Sequence, residues 1–386
     1  MALPLPPGRP AADRADWSRQ LVDGVRSAED LIARGLLAEA GEVRAQTEAV
    51  TQRYRMLVTE YYLGLIDPAD PNDPIRRQAL PDPGELFDAP GELADPIGDT
   101  PHSPVEGLVH RYPDRVLFFP TFLCPMYCRY CFRKVALNET PVRLTRVLPA
   151  AVAYVRAHPE VREVILSGGD PLLLADERLG EVLTAFREVP TVERLRIHTR
   201  VPVTLPMRVD AALAALLSAN RPLYVVAHYN HPRELTPEAE RAVRHLVDVG
   251  VTVMNQAVLL RGVNDSPEVL AALFGGLLRW QVRPYYLHHP DLTVGTAAFR
   301  LSLRKGLEIV RALRGRLTGL AWPIYAIDIP GGGGKVPVDS DFVRPGEAPG
   351  IWRLHGPLGG VWRYVDPAEH PAGWGDFPPG ATRLEP

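Results

Sequence analysis

The chain contains three cysteines, and all of them lie within eight residues, at Cys124, Cys128 and Cys131. An odd number of cysteines at this spacing does not make a disulfide framework. Three thiolates on one loop can bind a soft metal centre, and they are one ligand short of an ordinary four-cysteine [4Fe–4S] cluster. One iron would then stay open to a further molecule. The alternatives are a zinc ion completed by a remote histidine, or three reduced thiols, although the chain has no second Cys-x-x-Cys pair.

A second candidate is Lys335, which follows the glycine run Gly331–Gly334. The segment is not a P-loop, because Val336 stands where a Ser or Thr is needed. Consecutive glycines allow backbone N–H groups to surround an anion. A lysine beside such a loop is what pyridoxal phosphate requires. The chain has three lysines among 43 basic residues, which favours a chemical role over the alternative of a flexible loop with a solvated lysine.

The sequence SGGD at Ser167–Asp170, followed by a proline, is open to two interpretations. Gly-Gly and Asp-Pro pairs are common in tight turns. Alternatively, the glycines let the backbone approach a ligand closely, and Asp170 or a carbonyl oxygen accepts a hydrogen bond from an ammonium group. His228 and His231 are spaced to bind a metal ion, but we favour hydrogen bonding within a pocket.

Two further groups of polar residues could bind ligands. Arg111, Tyr112 and Arg115 precede an apolar run, and they are either solvated surface residues or a phosphate-binding group. Asp291 and Asp328 each follow or end an apolar run, where they could cap the next element. Together they could bind a substrate cation in a pocket of low dielectric constant.

Short apolar runs begin at intervals of about 30 residues and are separated by amphipathic helical stretches, as in repeated βαβ units. They are Val116–Phe119, Val164–Leu166, Leu195–Ile197, Leu223–Ala227, Val251–Met254 and Val282–Leu287. Polar residues follow every run, as at the carboxyl ends of the strands in an α/β barrel enzyme. The stretch from Thr236 to Gly250 reads as one of the helices, with an N-cap, a proline at its first position and a terminating glycine.

Three regions are predicted along the chain. Residues 1–105 begin with helical periodicity and continue into a segment at 67–104, rich in Pro, Asp and Gly, which we call the wrapping segment. Breakers at that density exclude long helices. Residues 106–320 form the barrel core. Residues 321–386 contain Lys335 and two alternating runs, IWRLH and VWRYV, which predict a β-hairpin.

Composition excludes several classes of protein. The net charge of −3 does not suit a nucleic-acid or anionic-membrane partner. No apolar run reaches the length of about 18 residues that spans a bilayer. The first residues carry neither a basic leader nor an apolar core of a secretory signal. We therefore expect a cytoplasmic protein.

The order of several sequence blocks resembles the lysine 2,3-aminomutase family, whose members are radical S-adenosylmethionine (SAM) enzymes that also use pyridoxal phosphate. The cysteine spacing itself is similar to that of the radical SAM superfamily. The resemblance runs from about Tyr61 to Val338. Its blocks are YYLGLIDPADPNDPIRRQAL, SPVEGLVHRYPDRVL, the cysteine loop, VILSGGDPLL, NHPRELT, NQAVLLRGVND, VRPYYL and DIPGGGGKVPV.

The resemblance implies a radical SAM-type partial (β/α)6 barrel with an N-terminal helical extension and a C-terminal segment that carries the lysine and a hairpin. It also implies a role for each candidate residue. The [4Fe–4S] cluster is bound by Cys124, Cys128 and Cys131; SAM by Ser167, Gly168, Gly169, Asp170, His228 and Gln256; pyridoxal phosphate by Lys335, Arg111, Tyr112 and Arg115; and the substrate by Arg133, Asp291 and Asp328.

The resemblance implies an isomerase that converts L-lysine to β-lysine. Such an enzyme needs an electron donor for its cluster, and we expect a homo-oligomer. The chain departs from the family at an inter-subunit zinc site, because the tail has no cysteines and Ser266 follows RGVND. No zinc is therefore expected. The alternatives are the same chemistry on a protein-bound lysine of elongation factor P type, the same chemistry on arginine or ornithine, a radical SAM enzyme without pyridoxal phosphate, and a non-catalytic zinc-binding barrel.

Overall fold

A nine-stranded sheet forms the centre of the protein in the computed structural model, which describes residues 17–138, 142–313, 316–338, 343–355, 360–369 and 380–385. Its strands lie side by side in chain order. They are β1 (Leu108–Tyr112), β2 (Arg115–Thr121), β3 (Glu163–Gly168), β4 (Arg194–Thr199), β5 (Leu223–Ala227), β6 (Thr252–Val258), β7 (Arg283–His288), β8 (Ile324–Ile329) and β9 (Gly334–Pro337). Strands β2 to β8 are parallel, and β1 and β9 pair antiparallel at the two edges.

The two edge strands approach each other and nearly close the barrel. The backbone N–H of Lys335 in β9 donates a hydrogen bond to the hydroxyl of Tyr112 in β1, at 2.7 Å. The prediction of an α/β partial barrel is confirmed. The sheet is larger than the six predicted strands, because the apolar run before Asp328 forms a seventh parallel strand, β8. The sheet therefore continues beyond residue 320.

Twelve α-helices lie along the described chain. They are α1 (Trp17–Val22), α2 (Ala28–Ala33), α3 (Glu42–Arg53), α4 (Glu60–Leu63), α5 (Pro74–Ala79), α6 (Leu144–Ala157), α7 (Asp176–Arg187), α8 (Val201–Thr204), α9 (Ala211–Ala219), α10 (Pro237–Asp248), α11 (Pro267–Arg279) and α12 (Leu303–Leu313). Helix α10 begins as predicted, because the Thr236 side chain accepts a hydrogen bond from the N–H of Ala239 at 3.1 Å. Gly250, with φ of 77°, follows its end.

The N-terminal helices are shorter than the apolar periodicity predicts. Helices α1 to α4 occupy parts of the periodic region before residue 67, and turns, bends or short non-helical segments separate them. Ser27 caps α2 and Thr59 caps α4, so polar side chains start new helices within this region. Residues 1–16 lie outside the described part of the chain.

The wrapping segment contains no long helix, as predicted, but it is made largely of turns and two 3₁₀ helices, Pro83–Leu86 and Thr100–His102, rather than extended chain, and it contains one short α-helix, α5. Asp73 explains this helix, because its carboxylate accepts hydrogen bonds from the N–H groups of Ile75 and Arg76 at 2.8 and 2.7 Å. Pro74 occupies the first helical position, where no N–H is needed. The segment then contacts the loops at the carboxyl ends of the strands, through Leu93 with Leu292 and Pro96 with Gly331.

A second sheet, entirely antiparallel, follows the barrel. Its strands are β10 (Val343–Pro345), β11 (Ile351–His355), β12 (Val361–Val365) and β13 (Gly380–Glu385). The predicted pairing of IWRLH with VWRYV is confirmed, with Ile351 opposite Val365. Residues 356–359, within the predicted hairpin connection, lie outside the described residues.

The core is one continuous cluster of aliphatic and aromatic side chains between the sheet and its helices, and it includes Phe118, Leu166, Phe186 and Phe274. Strands β3 and β5 are buried along most of their length, whereas β4 and β6 alternate between buried and partly exposed residues. None of the helices in the described ranges has the length and hydropathy needed to cross a membrane.

Candidate functional site

A cavity of about 510 Å³ opens at the carboxyl ends of the parallel strands. All of the residues that the sequence analysis proposes for the cluster, SAM, pyridoxal phosphate and the substrate line this single cavity. They come from loops and strand ends that are up to 224 residues apart in the chain, between Arg111 and Lys335. Most of them follow the carboxyl ends of the parallel strands, which meet at one edge of the sheet, whereas Arg111, Tyr112 and Arg115 lie where β1 turns into the start of β2.

The loop that carries the three cysteines follows β2 and is fixed by a buried ion cluster. Glu85 of the wrapping segment accepts hydrogen bonds from Arg129 at 3.0 Å and from Lys134 at 2.8 Å. The three side chains are at most 4% exposed. Burial raises the pKa of Glu85, but the charges of Arg129 and Lys134 outweigh it and lower the pKa below its usual value. Lys134 also donates to the carbonyl oxygen of Gly295.

Glu85→Gln is expected to lower the free energy of unfolding by about 3–5 kcal/mol, because it leaves two buried cations without their carboxylate. Chemical denaturation of the protein without cofactors would measure this loss. The matched control is Glu106→Gln, since Glu106 pairs with Arg146 on the surface and both side chains are more than half exposed. Equal losses for the two variants would contradict the prediction.

Both glycines of the SGGD stretch pack so closely against the end of β2 and the cysteine loop that a side chain would not fit at either position. A Cβ atom on Gly169 would lie 2.4 Å from the carbonyl oxygen of Leu123. The N–H groups of Gly169 and Asp170 donate to the carbonyl oxygens of Thr121 and Leu123 at 2.8 and 2.7 Å. The close backbone approach that the glycines predict is therefore made to the loop before Cys124.

Asp170 directs its carboxylate into the protein. It accepts hydrogen bonds from the Thr199 hydroxyl at 2.7 Å and from the N–H groups of Leu172, Arg200 and Val201 at 3.2, 2.7 and 3.1 Å. Burial raises the pKa of this carboxyl to about 6, although these hydrogen bonds oppose the shift. Asp170 thus links the end of β3 to the end of β4 and orders both sides of the cavity floor.

One end of the cavity is rich in arginine. Arg133 donates to the carboxylate of Asp99 at 2.8 Å, and Arg111 lies 3.3 Å from the other oxygen of the same carboxylate. The Arg133 guanidinium packs against Phe119 and Phe132, at 4.8 and 4.3 Å from their ring centroids. Asp99 belongs to the wrapping segment, so this segment fixes the two arginines as it fixes the cysteine loop.

Lys335 lines the same cavity, and two neighbouring side chains contact its amino group. Its ammonium group donates to the carboxylate of Asp328 and lies 3.0 Å from Nδ1 of His288. Burial and the charge of Lys335 lower the pKa of His288 well below its usual value, so the imidazole is neutral and accepts a hydrogen bond. Asp328 and Lys335 face each other across the antiparallel pair of β8 and β9.

The second carboxylate, Asp291, is close enough to Asp328 for the charge of Asp328 to affect its ionisation. Burial, and then the negative charge of Asp328, raise the pKa of Asp291 to about 7. Two carboxylates in one buried site disfavour the doubly ionised state unless a cation binds between them. The pair is therefore suited to bind an ammonium or guanidinium group.

The sequence is similar to those of known aminomutases over most of its length. Residues 118–274 match a family model described as the radical SAM superfamily. The chain is 43% identical over 334 residues to the L-lysine 2,3-aminomutase of Clostridium subterminale, covering 86% of this chain and 80% of that protein. It is 38% identical over 380 residues to the L-lysine 2,3-aminomutase of Bacillus subtilis, covering 96% and 80% of the two chains.

The chain belongs to the lysine 2,3-aminomutase family. It is therefore a radical SAM aminomutase, an isomerase, and the family implies a [4Fe–4S] cluster and SAM. The chain is also 38% identical over 290 residues to a glutamate 2,3-aminomutase of Clostridioides difficile, covering 75% of this chain and 68% of that protein. Membership alone therefore does not decide between a lysine and a glutamate substrate.

The cysteine loop suits the cluster that the family implies. Cys124, Cys128 and Cys131 are free thiols on the cavity wall. In such a cluster each cysteine binds a different iron, so the three sulfur atoms do not have to converge on one point. The described residues contain no group of three or more His, Cys, Asp or Glu side chains arranged to hold a single metal ion.

The cavity next to the cysteine loop also suits a polar ligand such as SAM. Nε2 of His228 is buried in this wall and has no hydrogen-bond partner among the described residues. Burial, followed by the charge of Arg200, lowers the pKa of His228 to about 3, so the ring is neutral. A buried polar atom without a partner is costly, and a bound ligand would satisfy it.

Several residues that order the site are not among the site residues predicted from the sequence. Glu85 and Asp99 lie in the wrapping segment, which has no periodic pattern, and their arginine partners are 44 and 34 residues away. Arg200 and His288 do carry a signal, since each stands at the carboxyl end of a predicted strand. The rule that finds Asp328 by its strand-end position applies equally to these two residues.

Proposed function

We propose that this aminomutase moves the α-amino group of free L-lysine to the β-carbon and so produces β-lysine. The single observation that carries the proposal is the pair of half-buried carboxylates, Asp291 and Asp328, beside Lys335. Two negative charges in a desolvated site attract the side-chain ammonium of lysine. They repel the side-chain carboxylate of glutamate, which would need neutral or basic groups at these positions.

Lys335 is proposed to bind pyridoxal phosphate through its amino group. When bound, that cofactor supplies a π bond to which the migrating nitrogen remains attached. The residues around it suit a phosphate, because Nε of Arg111 is buried and has no hydrogen-bond partner in the described structure. Arg115 lies above the Tyr112 ring, 3.9 Å from its centroid. Tyr112 also fixes the backbone of Lys335.

The remaining residues are proposed to orient the amino acid. Arg133 lines the same cavity as the carboxylate pair and would bind the α-carboxylate, for which a guanidinium is well suited. Ser167 lies 3.4 Å from Arg133 and helps to position it. SAM, when bound at the cluster, supplies the radical that removes a hydrogen from the β-carbon. The chain therefore binds lysine at three points and excludes water from the reacting carbons.

A free amino acid suits this arrangement better than a lysine within a protein chain. The nitrogen that migrates must be a free amine in order to bond to pyridoxal phosphate, and within a polypeptide it is an amide. The α-carboxylate that Arg133 would bind is likewise absent from a chain residue. Arginine and ornithine fulfil both requirements, so they remain competing substrates in the test.

The decisive experiment is anaerobic incubation of the reconstituted enzyme with SAM, pyridoxal phosphate, dithionite and L-lysine, followed by chromatography for β-lysine. L-arginine, L-ornithine and L-glutamate are assayed in parallel. Formation of β-lysine at the highest kcat/KM supports the proposal. Turnover of glutamate in preference to lysine contradicts it, and so does the absence of any product when both cluster and pyridoxal phosphate are bound.

The affinity for lysine is expected to fall as the pH is lowered from about 8 to about 6. Asp291, with a pKa of about 7, takes up a proton over this range, and the ammonium then loses one of its two counter-ions. KM would rise by up to about tenfold per pH unit below the pKa and level off above it. Asp291→Asn should remove this dependence. A KM that is independent of pH in the unsubstituted enzyme would contradict the prediction.

A further inference from the structure

Behind the cysteine loop, a buried arginine contacts one of the three thiols directly. Arg200, at the end of β4, is 7% exposed, and its Nη1 donates a hydrogen bond to Sγ of Cys128 at 2.9 Å. The guanidinium also lies near the face of Tyr130, 5.5 Å from the ring centroid. Tyr130 stands between Cys128 and Cys131 in the sequence, so Arg200 contacts the loop at two places.

Other groups fix the rest of the guanidinium, and its Nε donates to the carbonyl oxygen of His228 at 3.4 Å. Its Nη2 donates to Glu234 and Gln78, both at 2.7 Å, and to the Tyr62 hydroxyl at 3.1 Å. Glu234 has no exposed surface, and it also accepts a hydrogen bond from Tyr62 at 2.6 Å. These contacts fix the orientation of the Arg200 guanidinium, with Nη1 on the sulfur of Cys128 and Nη2 on its counter-ion, Glu234.

This arrangement is costly, because two charges are removed from water where apolar residues of similar volume would pack at least as well. Neither Arg200 nor Glu234 has a place in the proposed reaction of the amino acid. Arg200 contacts the sulfur of Cys128 directly, and Glu234 is the carboxylate that pairs with Arg200. Hydrogen bonds to cysteine sulfur and nearby charge are the means by which proteins adjust the reduction potential of an iron–sulfur cluster.

We propose that the Arg200–Glu234 pair sets the reduction potential of the cluster through the hydrogen bond to Cys128. Reduction adds one negative charge to the cluster, part of which resides on its sulfur ligands. Arg200 stabilises that charge and raises the potential, while Glu234, which lies behind it, opposes the effect. Arg200 is in this sense a positioning residue. The inference rests on the assignment of the three cysteines to the cluster.

The test measures the reduction potential of the reconstituted enzyme by reductive titration followed by electron paramagnetic resonance, with iron and sulfide content determined for each sample. Glu234→Gln removes the opposing charge, so the potential should shift to a higher value. The double variant Arg200→Gln with Glu234→Gln removes the cation and the hydrogen bond without leaving a lone buried charge, so the potential should shift to a lower value. Shifts of opposite sign in the two variants distinguish an effect of charge from a general loss of packing around the cluster, which would shift both potentials in the same direction.

The control is Arg208→Gln, because Arg208 is also buried but binds the carbonyl oxygen of Leu172 and the carboxylate of Asp176. The reduction potential of the cluster in Arg208→Gln should match that of the unsubstituted enzyme. Arg200→Lys, which keeps the charge, serves if the double variant does not fold, and its potential should lie below that of the unsubstituted enzyme by a smaller amount.

Two results overturn the inference while leaving the proposed function intact. They are unchanged potentials in variants that carry a full cluster, and shifts of the same sign for Glu234→Gln and the double variant. A different result, the absence of any cluster from the unsubstituted enzyme after reconstitution, would contradict the cysteine assignment and with it the proposed function. The iron and sulfide analysis separates these cases.

Discussion

Lys335→Ala is expected to abolish conversion of lysine to β-lysine, with a loss on the order of 10⁴-fold or more in kcat. The amino group is the proposed attachment point of pyridoxal phosphate, and it lies within hydrogen-bond distance of Asp328 and His288. The visible absorption of the lysine-bound cofactor should disappear as well. Anaerobic product assays and absorption spectra of the reconstituted variant would measure both losses.

The control for this variant is Lys305→Ala, which removes another lysine from a surface position with more than half of its side chain exposed. Activity and absorption should match those of the unsubstituted enzyme. The iron content of Lys335→Ala should also be unchanged, because Lys335 does not belong to the cysteine loop. Retention of activity in Lys335→Ala would disprove its proposed role and favour a radical SAM reaction without pyridoxal phosphate.

Asp328→Asn is expected to lower kcat/KM for lysine by about 30- to 3,000-fold, which corresponds to roughly 2–5 kcal/mol for a buried charge that loses its partner. The substitution keeps the shape of the side chain and removes one of the two negative charges that would bind the ε-ammonium. Most of the loss should appear in KM. Steady-state assays over a range of lysine concentrations would separate KM from kcat.

Asp248→Asn is the matched control, because it makes the same chemical change at an exposed position at the end of α10. The absorption spectrum of Asp328→Asn should show that pyridoxal phosphate is still bound, since Asp328 also contacts Lys335. An unchanged KM for lysine, with the cofactor in place, would show that the carboxylate pair does not bind the substrate ammonium.

The placement of the site could be predicted from the sequence because its residues stand at the ends of apolar runs. Cys124, Asp170 and Asp328 each follow or end such a run, and parallel strands bring their carboxyl ends to one edge. Local pattern is enough to locate a residue of this kind. It is the combination of strand position and unusual side-chain chemistry that separates these residues from surface polarity.

The contacts that fix the site could not be predicted, because they depend on pairing between distant segments. Glu85 and Asp99 lie among prolines and glycines, where no spacing indicates which cation each carboxylate meets. The number of parallel strands predicted from the sequence, six, is also one fewer than the seven in the structure. Pro284 lies inside β7, next to a register irregularity that accommodates it, and a single apolar run after α12 did not reveal that β8 joins the same sheet.

The ion pair between Lys335 and Asp328 has a consequence for the order in which the enzyme acquires its ligands. While Lys335 carries a free ammonium group, it occupies a carboxylate that the substrate side chain would need. Attachment of pyridoxal phosphate to that nitrogen would release Asp328. Both carboxylates would then be available to the lysine side chain only after pyridoxal phosphate is attached. Enzyme without the cofactor would therefore bind little lysine and would not compete for it with enzyme that carries the cofactor.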